Sequence, residues 1–341
     1  MLAKVVLGLS GGVDSAASAI LLRRMGHEVH ALWMDNGAGS PERAQACAET
    51  LGLPFAVADM RESFEREVVA PFVGAYLAGR TPNPCVVCNP LVKFRALFDY
   101  ADAHGCAYVA TGHYARAEGG FLYRGAGPHD QSYMLYRLPR PWVARCLFPL
   151  GGFVTKDDVR AVAGACLPPE TSEAAASMEI CFIPEGEHWR YIEARGVRPP
   201  EGDFVDDAGY VLGTHHGIHR YTVGMRRRLG VATGARMYVR AIDPASNRIT
   251  LSPAREPRPS LVELSDTHWF AQPETSRSYG ARVRHSRHMG EAELLPDADR
   301  RCILRVSPDC GIPAPGQSAV LYDGEKVTGG GFISRVFDES F

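Results

Sequence analysis

No apolar run in this 341-residue chain approaches the roughly 20 residues that cross a bilayer, which excludes a helical membrane protein. Neither sign of charge dominates: 37 Lys and Arg against 39 Asp and Glu leave a net charge of -2, so a polyanionic partner must be met by a local basic surface. There is no G-x-x-x-x-G-K-[ST] and no G-x-G-x-x-G, which argues against an ordinary nucleotide hydrolase. A second C-x-x-C pair, as a zinc ribbon needs, is missing, and so are a glutaminase motif, an internal repeat and a low-complexity tract. The nine cysteines are odd in number and irregularly spaced, unlike a disulfide framework, which points to a reducing compartment. The start, "MLAKVVLGLSGG", offers one Lys and a Gly-rich end in place of a secretory core, so the expected location is the cytoplasm.

What is present begins at "LGLSGGVDSAA", residues 7 to 17, behind the apolar run "AKVVLGL" and ahead of the helically spaced "SAILLRRMGHE". A Gly pair between a strand and a helix lets backbone approach a ligand, and the helix start offers unpaired N–H groups and positive dipole to an anion. Phosphate is the natural guest. Onward to about residue 150, short apolar runs alternate with helical periods: "VHALWM", "PFAVADM" and "CAYVATGH" read as strands, and "PERAQACAETLG", "SFEREVVAPFVGAYLAG" and "LVKFRALFDYADAHG" as helices. This predicts an α/β fold with a parallel sheet covered on both faces, whose ligands gather at the carboxyl ends of the strands. Those ends are residues 8 to 15 for phosphates, Met34 to Gly37 for adenine through backbone groups, and Gly112 to Tyr114 to close the site. After about residue 195 a Pro/Gly-rich linker, "RGVRPPEGDFV", leads into short β-like runs, which suggest a small central domain and then a β-barrel. The expected segments are 1–195, 196–257 and 258–341.

"GRTPNPCVVCNPLVKF", residues 79 to 94, places Cys85 and Cys88 between prolines, and the spacing predicts a surface loop before a helix. C-x-x-C lets two sulfurs converge on one metal or redox partner; with Cys181 of "SMEICFIPEGE" returning to them, three thiolates would hold a 4Fe-4S cluster with one iron free. Cys47, Cys106, Cys146, Cys166, Cys302 and Cys310 read as buried small hydrophobes. Residues 215 to 240 hold six Arg, three His and no acid, with Tyr221 interleaved for base stacking, and "ARVRHSRH" at 281 to 288 adds a second basic strip. A solvated charged face is the competing reading of both.

Together "SGGVDS" (Ser10 to Ser15), "TPNPCVVCN" with "KF" (Thr81 to Asn89, Lys93, Phe94), "ATGHYAR" (Ala110 to Arg116), "DQSYML" (Asp130 to Leu135), "EICFI" (Glu179 to Ile183), "YTVGMRRRLG" (Tyr221 to Gly230) and "PGQSAVLYDG" (Pro315 to Gly324) resemble, in order, the tRNA-specific 2-thiouridylases, the MnmA/TrmU family. The first motif alone resembles the PP-loop of N-type ATP pyrophosphatases. The resemblance implies ATP and Mg²⁺ at Gly8, Leu9, Ser10, Gly11, Gly12, Val13, Asp14, Ser15, Met34 and Gly112. It implies adenylation of the C2 oxygen of the wobble uridine, then sulfur transfer through Cys88 and Cys181 from a persulfide carrier or sulfide. It also implies tRNA contact by His113, Gln131 and Gln317, to which the basic run adds Arg226 and Arg227. Asp14 is cast toward Mg²⁺, with a helix cap as its competing role.

Departures from the family pattern are as informative. Cys85 stands where many members carry Asp, which makes a cluster on Cys85, Cys88 and Cys181, or a relay with a resolving thiol, the two expected routes. His129 replaces a Lys before "DQSY", Met225 replaces a Gln, "EAAASM" lacks the usual Lys, Asp and Gln, and "DNGAGSPER" is short and without an expected Cys. Two other classes stay open: a PP-loop enzyme that activates a small molecule or a different tRNA position, and a non-catalytic RNA-binding protein.

Overall fold

The computed structural model of the protein describes residues 3–164, 167, 180–183, 187–232, 234–253, 258–286, 288–299 and 301–338. Glu179 of "EICFI", the "EAAASM" stretch, Cys166 and the expected boundary at 257 lie outside the described residues. Along the chain run β1 (Lys4–Gly8), α1 (Val13–Arg24), β2 (Glu28–Asp35), α2 (Glu42–Thr50), β3 (Phe55–Asp59), α3 (Arg61–Phe64), α4 (Ala70–Leu77), α5 (Pro84–Cys88), α6 (Phe94–His104), β4 (Tyr108–Ala110), β5 (Ala115–Glu118), β6 (Phe121–Arg124), α7 (Arg140–Val143), β7 (Cys146–Leu147) and α8 (Lys156–Gly164). Then come α9 (His188–Ala194), β8 (Gly202–Val205), β9 (Val211–His215), β10 (Met237–Asp243), β11 (Arg248–Pro253), β12 (Ser260–Trp269), β13 (Ser278–Arg282), β14 (Gly290–Leu295), β15 (Cys302–Val306), β16 (Ser318–Asp323) and β17 (Lys326–Asp338).

These elements form two compact units: Met1–Val68 with Cys85–Phe182 and Glu325–Val327, and Val69–Pro84 with Ile183–Gly324 and Thr328–Phe341. The first is built on a parallel sheet in the order β3-β2-β1-β4-β7. Val5, Val6 and Leu7 of β1 are fully buried, as a strand covered on both faces requires. Ala16, Ala17 and Ile20 of α1 and Val159 and Ala163 of α8 share one core with Val5 and Leu7. The expected α/β class holds. Strand β4 is only three residues long and is followed by an antiparallel hairpin, β5 with β6, that the sequence did not announce.

Two expected helices are interrupted. Residues 65–69 and 89–93 are single π-helical turns. Pro71 and Pro90 cannot donate to the ladder and crowd the carbonyls of Glu67 and Val86, and a wider turn beside each accommodates the conflict.

In the second unit β10-β11-β8-β9 form a small sheet around Phe204, Tyr221, Val239, Ile249 and Leu251. Strands β12-β15-β14-β13-β16-β17 close through a β12–β17 pairing into a six-stranded barrel about Val262, Ala281, Leu304, Leu321 and Ile333. Among the described residues no helix is long and apolar enough to cross a membrane.

Candidate active site

The turn from β1 to α1 is held by its own hydroxyls. Ser15 Oγ donates to the Gly12 carbonyl at 3.0 Å and accepts from the Ser10 amide at 3.2 Å, while Ser10 Oγ lies 3.1 Å from Ser15 Oγ. Gly11 has φ of 75°, and a Cβ there would sit 2.6 Å from the Arg43 backbone. Only Gly satisfies both demands. Leu9 donates its amide to the Leu32 carbonyl, and Gly8 faces the Met34 side chain, where a Cβ would lie 3.0 Å from Cε. Gly12 is the N-cap of α1, and no side chain caps the helix. The first-turn amides, Val13 to Ser15, therefore point outward with the positive end of the helix dipole, a cradle that fits a polyphosphate. At the end of β4, a Cβ on Gly112 would lie 3.0 and 3.1 Å from the backbone of Asp14 and Ser15. The carboxyl ends of β1, β2 and β4 thus meet where the sequence placed them.

Asp14 does not cap the helix. Its carboxylate accepts from Lys156 Nζ at 2.9 and 2.6 Å and from the Tyr114 hydroxyl at 2.6 Å, and Lys156 Nζ also lies 4.5 Å from the centre of the Tyr114 ring. Burial, then the bond to Asp14, pushes the Tyr114 phenol far up, so it stays a donor. One carboxylate beside a phosphate cradle suits Mg²⁺, which is usually held by a single carboxylate together with substrate phosphates and water.

Cys85 and Cys88 are not on a surface loop. They lie three apart on the short helix α5 and are half-buried, with Pro84 at the helix start where its missing N–H costs nothing. Cys181 is exposed, and Asn36 Nδ2 donates to its Sγ at 3.7 Å. Desolvation by the surrounding protein pushes the half-buried Cys85 and Cys88 up, Cys88 to about 11, and raises Cys181 as well although its surface is exposed; the Lys93 ammonium pulls each of them down, and negative charge on Cys181 raises Cys85 and Cys88 further. These groups therefore share one electrostatic neighbourhood with one cation. A 4Fe-4S cluster is not supported. Among the described residues no group of three His, Cys, Asp or Glu is gathered as a metal site.

The residues expected to meet tRNA divide. His113 is buried, its Nδ1 is 2.7 Å from Thr111 Oγ1 and its ring stacks on Phe94. Desolvation and then Lys93 hold its pKa well below the usual range, so it is neutral. Gln131 Oε1 accepts from the Tyr114 amide. Gln317, buried, donates to the Thr81 carbonyl at 2.9 Å. Arg226 and Arg227 are exposed, and neither is ion-paired to a described residue.

Of the rest of the run, Arg236 is exposed, while other members are buried or ion-paired. Tyr221 is a core residue, edge-on to Phe204 and His215, so it is closed to base stacking. Burial lowers His215 and His219, which removes their charge; Arg220 pairs with Glu193, Arg228 with Glu187 and Arg240 with Asp207. In the second strip Arg282 is buried and Arg284 donates to the Val223 and Ile312 carbonyls. Met225 packs against the central core where the family pattern has Gln, and His129 lies against the Tyr114 ring.

Lys156 was missed by reasoning from the sequence; Asn36 and Tyr114 were placed at the strand ends of the site without these roles, and Lys93 was noticed only as part of "KF". Lys156 carries a readable signal. It opens a helix whose preceding Thr155 and following Asp158 form a reciprocal cap, and a cation in the first turn opposes the helix dipole.

Family models match three consecutive stretches: a tRNA methyl transferase HUP domain over residues 3–185, a tRNA methyl transferase PRC-barrel domain over 191–253 and an aminomethyltransferase β-barrel domain over 260–333. Three relatives bear the name tRNA-specific 2-thiouridylase MnmA. That of Geotalea uraniireducens is 39% identical over 358 residues, covering 97% of this chain and 95% of its own. Those of Chloroflexus aggregans and Desulforudis audaxviator are 39% and 40% identical, each covering 98% of this chain and 99% of its own. With three family models matched in succession and relatives of this name covering nearly its whole length, the chain belongs to the tRNA-specific 2-thiouridylase MnmA family.

Proposed function

We propose that the protein is a cytoplasmic ATP-dependent tRNA 2-thiouridine synthase. The observation that carries this is full-length kinship with proteins of that name in a chain whose glycine turn leaves the α1 amides open to a polyphosphate. Residues Gly8 to Ser15 cradle the ATP phosphates, Met34 offers backbone groups to adenine and Gly112 brings β4 against the loop. Asp14 and the phosphates would hold Mg²⁺, which would supply charge neutralisation on the polyphosphate. Segment 1–195 carries catalysis, 196–257 contacts tRNA and 258–341 forms the barrel. Arg226 and Arg227 meet tRNA phosphates; His113, Gln131 and Gln317 shape the surface from within.

In the first step the uridine C2 oxygen attacks the α-phosphorus and pyrophosphate leaves toward the α1 dipole. The adenylated oxygen then departs as AMP when sulfur attacks C2. The sulfur arrives as a persulfide on Cys181, formed when the Cys181 thiolate attacks the outer sulfur of an external persulfide donor and the donor's thiolate leaves. Once its terminal sulfur is bonded to C2, the Cys88 thiolate attacks the Cys181 sulfur, releases 2-thiouridine and leaves a Cys88–Cys181 disulfide. An external thiol reduces that disulfide, and Cys85 stands beside Cys88 on α5 as a resolving thiol. Lys93 supports the thiolates.

The test is anaerobic: protein, ATP, Mg²⁺, unmodified tRNA and a persulfide donor, with 2-thiouridine and AMP measured by mass spectrometry. One AMP per 2-thiouridine, lost in Cys181→Ser, supports the reading. AMP formed without tRNA points to a small-molecule substrate, and tRNA binding without AMP to a non-catalytic RNA-binding protein.

A further inference from the structure

Lys156 faces a contradiction. It opens α8, where the helix dipole disfavours a cation, yet its side chain is four-fifths buried and grips both oxygens of Asp14. The cap formed by Thr155 and Asp158 fixes the backbone at this point, and Val159 and Ala163 anchor α8 in the core shared with α1. Only the flexible side chain of Lys156 is free to move. The other cation of this helix, Arg160, is engaged with Asp157. Asp14 is the carboxylate assigned above to Mg²⁺, and in the structure the ammonium contacts both its oxygens while the Tyr114 hydroxyl holds one of them.

We infer that Lys156 is a placeholder for the metal, exchanging between Asp14 in the nucleotide-free protein and the ATP phosphates when the metal–nucleotide arrives. This rests on the ATP reading above. A divalent ion cannot share Asp14 with an ammonium in contact with it, because like charges repel strongly at that range. Free metal must therefore displace Lys156 with no new partner for the displaced charge. Metal carried on ATP brings that partner with it, since the phosphates in the glycine cradle lie beside the α1 start and accept an ammonium as a point charge. The exchange makes Asp14 selective for metal already bound to nucleotide. Tyr114 keeps the carboxylate oriented through the swap, and no atom is transferred.

The experiment uses the full chain with Mn²⁺ as the probe, followed by electron paramagnetic resonance, and separate calorimetric titrations with ATP–Mg²⁺. Lys156→Met is expected to bind free Mn²⁺ at least tenfold more tightly than wild type and ATP–Mg²⁺ at least tenfold more weakly. The double variant Lys156→Met, Asp14→Asn loses the gained Mn²⁺ affinity, and Lys156→Arg keeps wild-type selectivity in direction. Lys156→Met with both affinities unchanged overturns the exchange alone; loss of both affinities overturns it in favour of a purely structural ion pair, with the melting temperature of Lys156→Arg as the check on folding. Wild-type protein that binds no ATP overturns the nucleotide reading and the exchange together.

Discussion

The phosphate turn and the cysteine site occupy the same folded unit and are built on opposite plans. The turn is contiguous: eight residues, Gly8 to Ser15, bring their own hydroxyls and their own positive φ. The cysteine site is assembled from α5, the π turn carrying Lys93, the end of β2 with Asn36, and Cys181, whose partner Asn36 is 145 positions away. Geometry fixed by backbone does not depend on a neighbour's charge, whereas buried thiols do. The proposed anion site is built from main chain, and the proposed sulfur site depends on one ammonium.

The sharpest way to separate the two is to remove one and read both. Cys181→Ser should lower 2-thiouridine formation by at least about 1,000-fold by mass spectrometry, while ATP affinity stays within about twofold, as separate sites behave independently. Gly11→Ala reverses the pattern. Its φ of 75° and the Arg43 backbone at 2.6 Å from the added Cβ should cost about 1–3 kcal/mol, seen as a roughly 5- to 150-fold weaker ATP affinity by calorimetry, with Cys181 alkylation unchanged. Lys93→Met removes the counter-charge and should slow thiol alkylation at pH 8 about tenfold, with Lys93→Arg restoring it. In wild type the thiolate is the reactive form and burial has raised its pKa, so the Cys88 alkylation rate should climb with pH and level off near 11. Smallest are Ser15→Ala, which should lose about 1 kcal/mol of stability in denaturant unfolding, and Asn36→Ala, which should slow Cys181 alkylation about twofold.

The same contrast explains what could be read in the sequence. "SGGVDS" between an apolar run and a helical period was legible because its chemistry is local, and the parallel sheet followed from buried, unbroken strands such as Val5 to Leu7. The Lys156–Asp14 pair spans 142 positions, which no periodicity records. Tyr221 in a run of arginines reads like a stacking platform until packing places it beside Phe204. The π turns at 65–69 and 89–93 were hidden because a proline announces a conflict and not its resolution.

Lys93 is felt by three thiols and by His113 at once. One fixed positive charge can favour the first thiolate but must then face the repulsion that this thiolate imposes on the next, so the protons leave in separate macroscopic steps. Ionisation of Cys181 raises Cys85 and Cys88, so the three thiols titrate as one coupled set around Lys93.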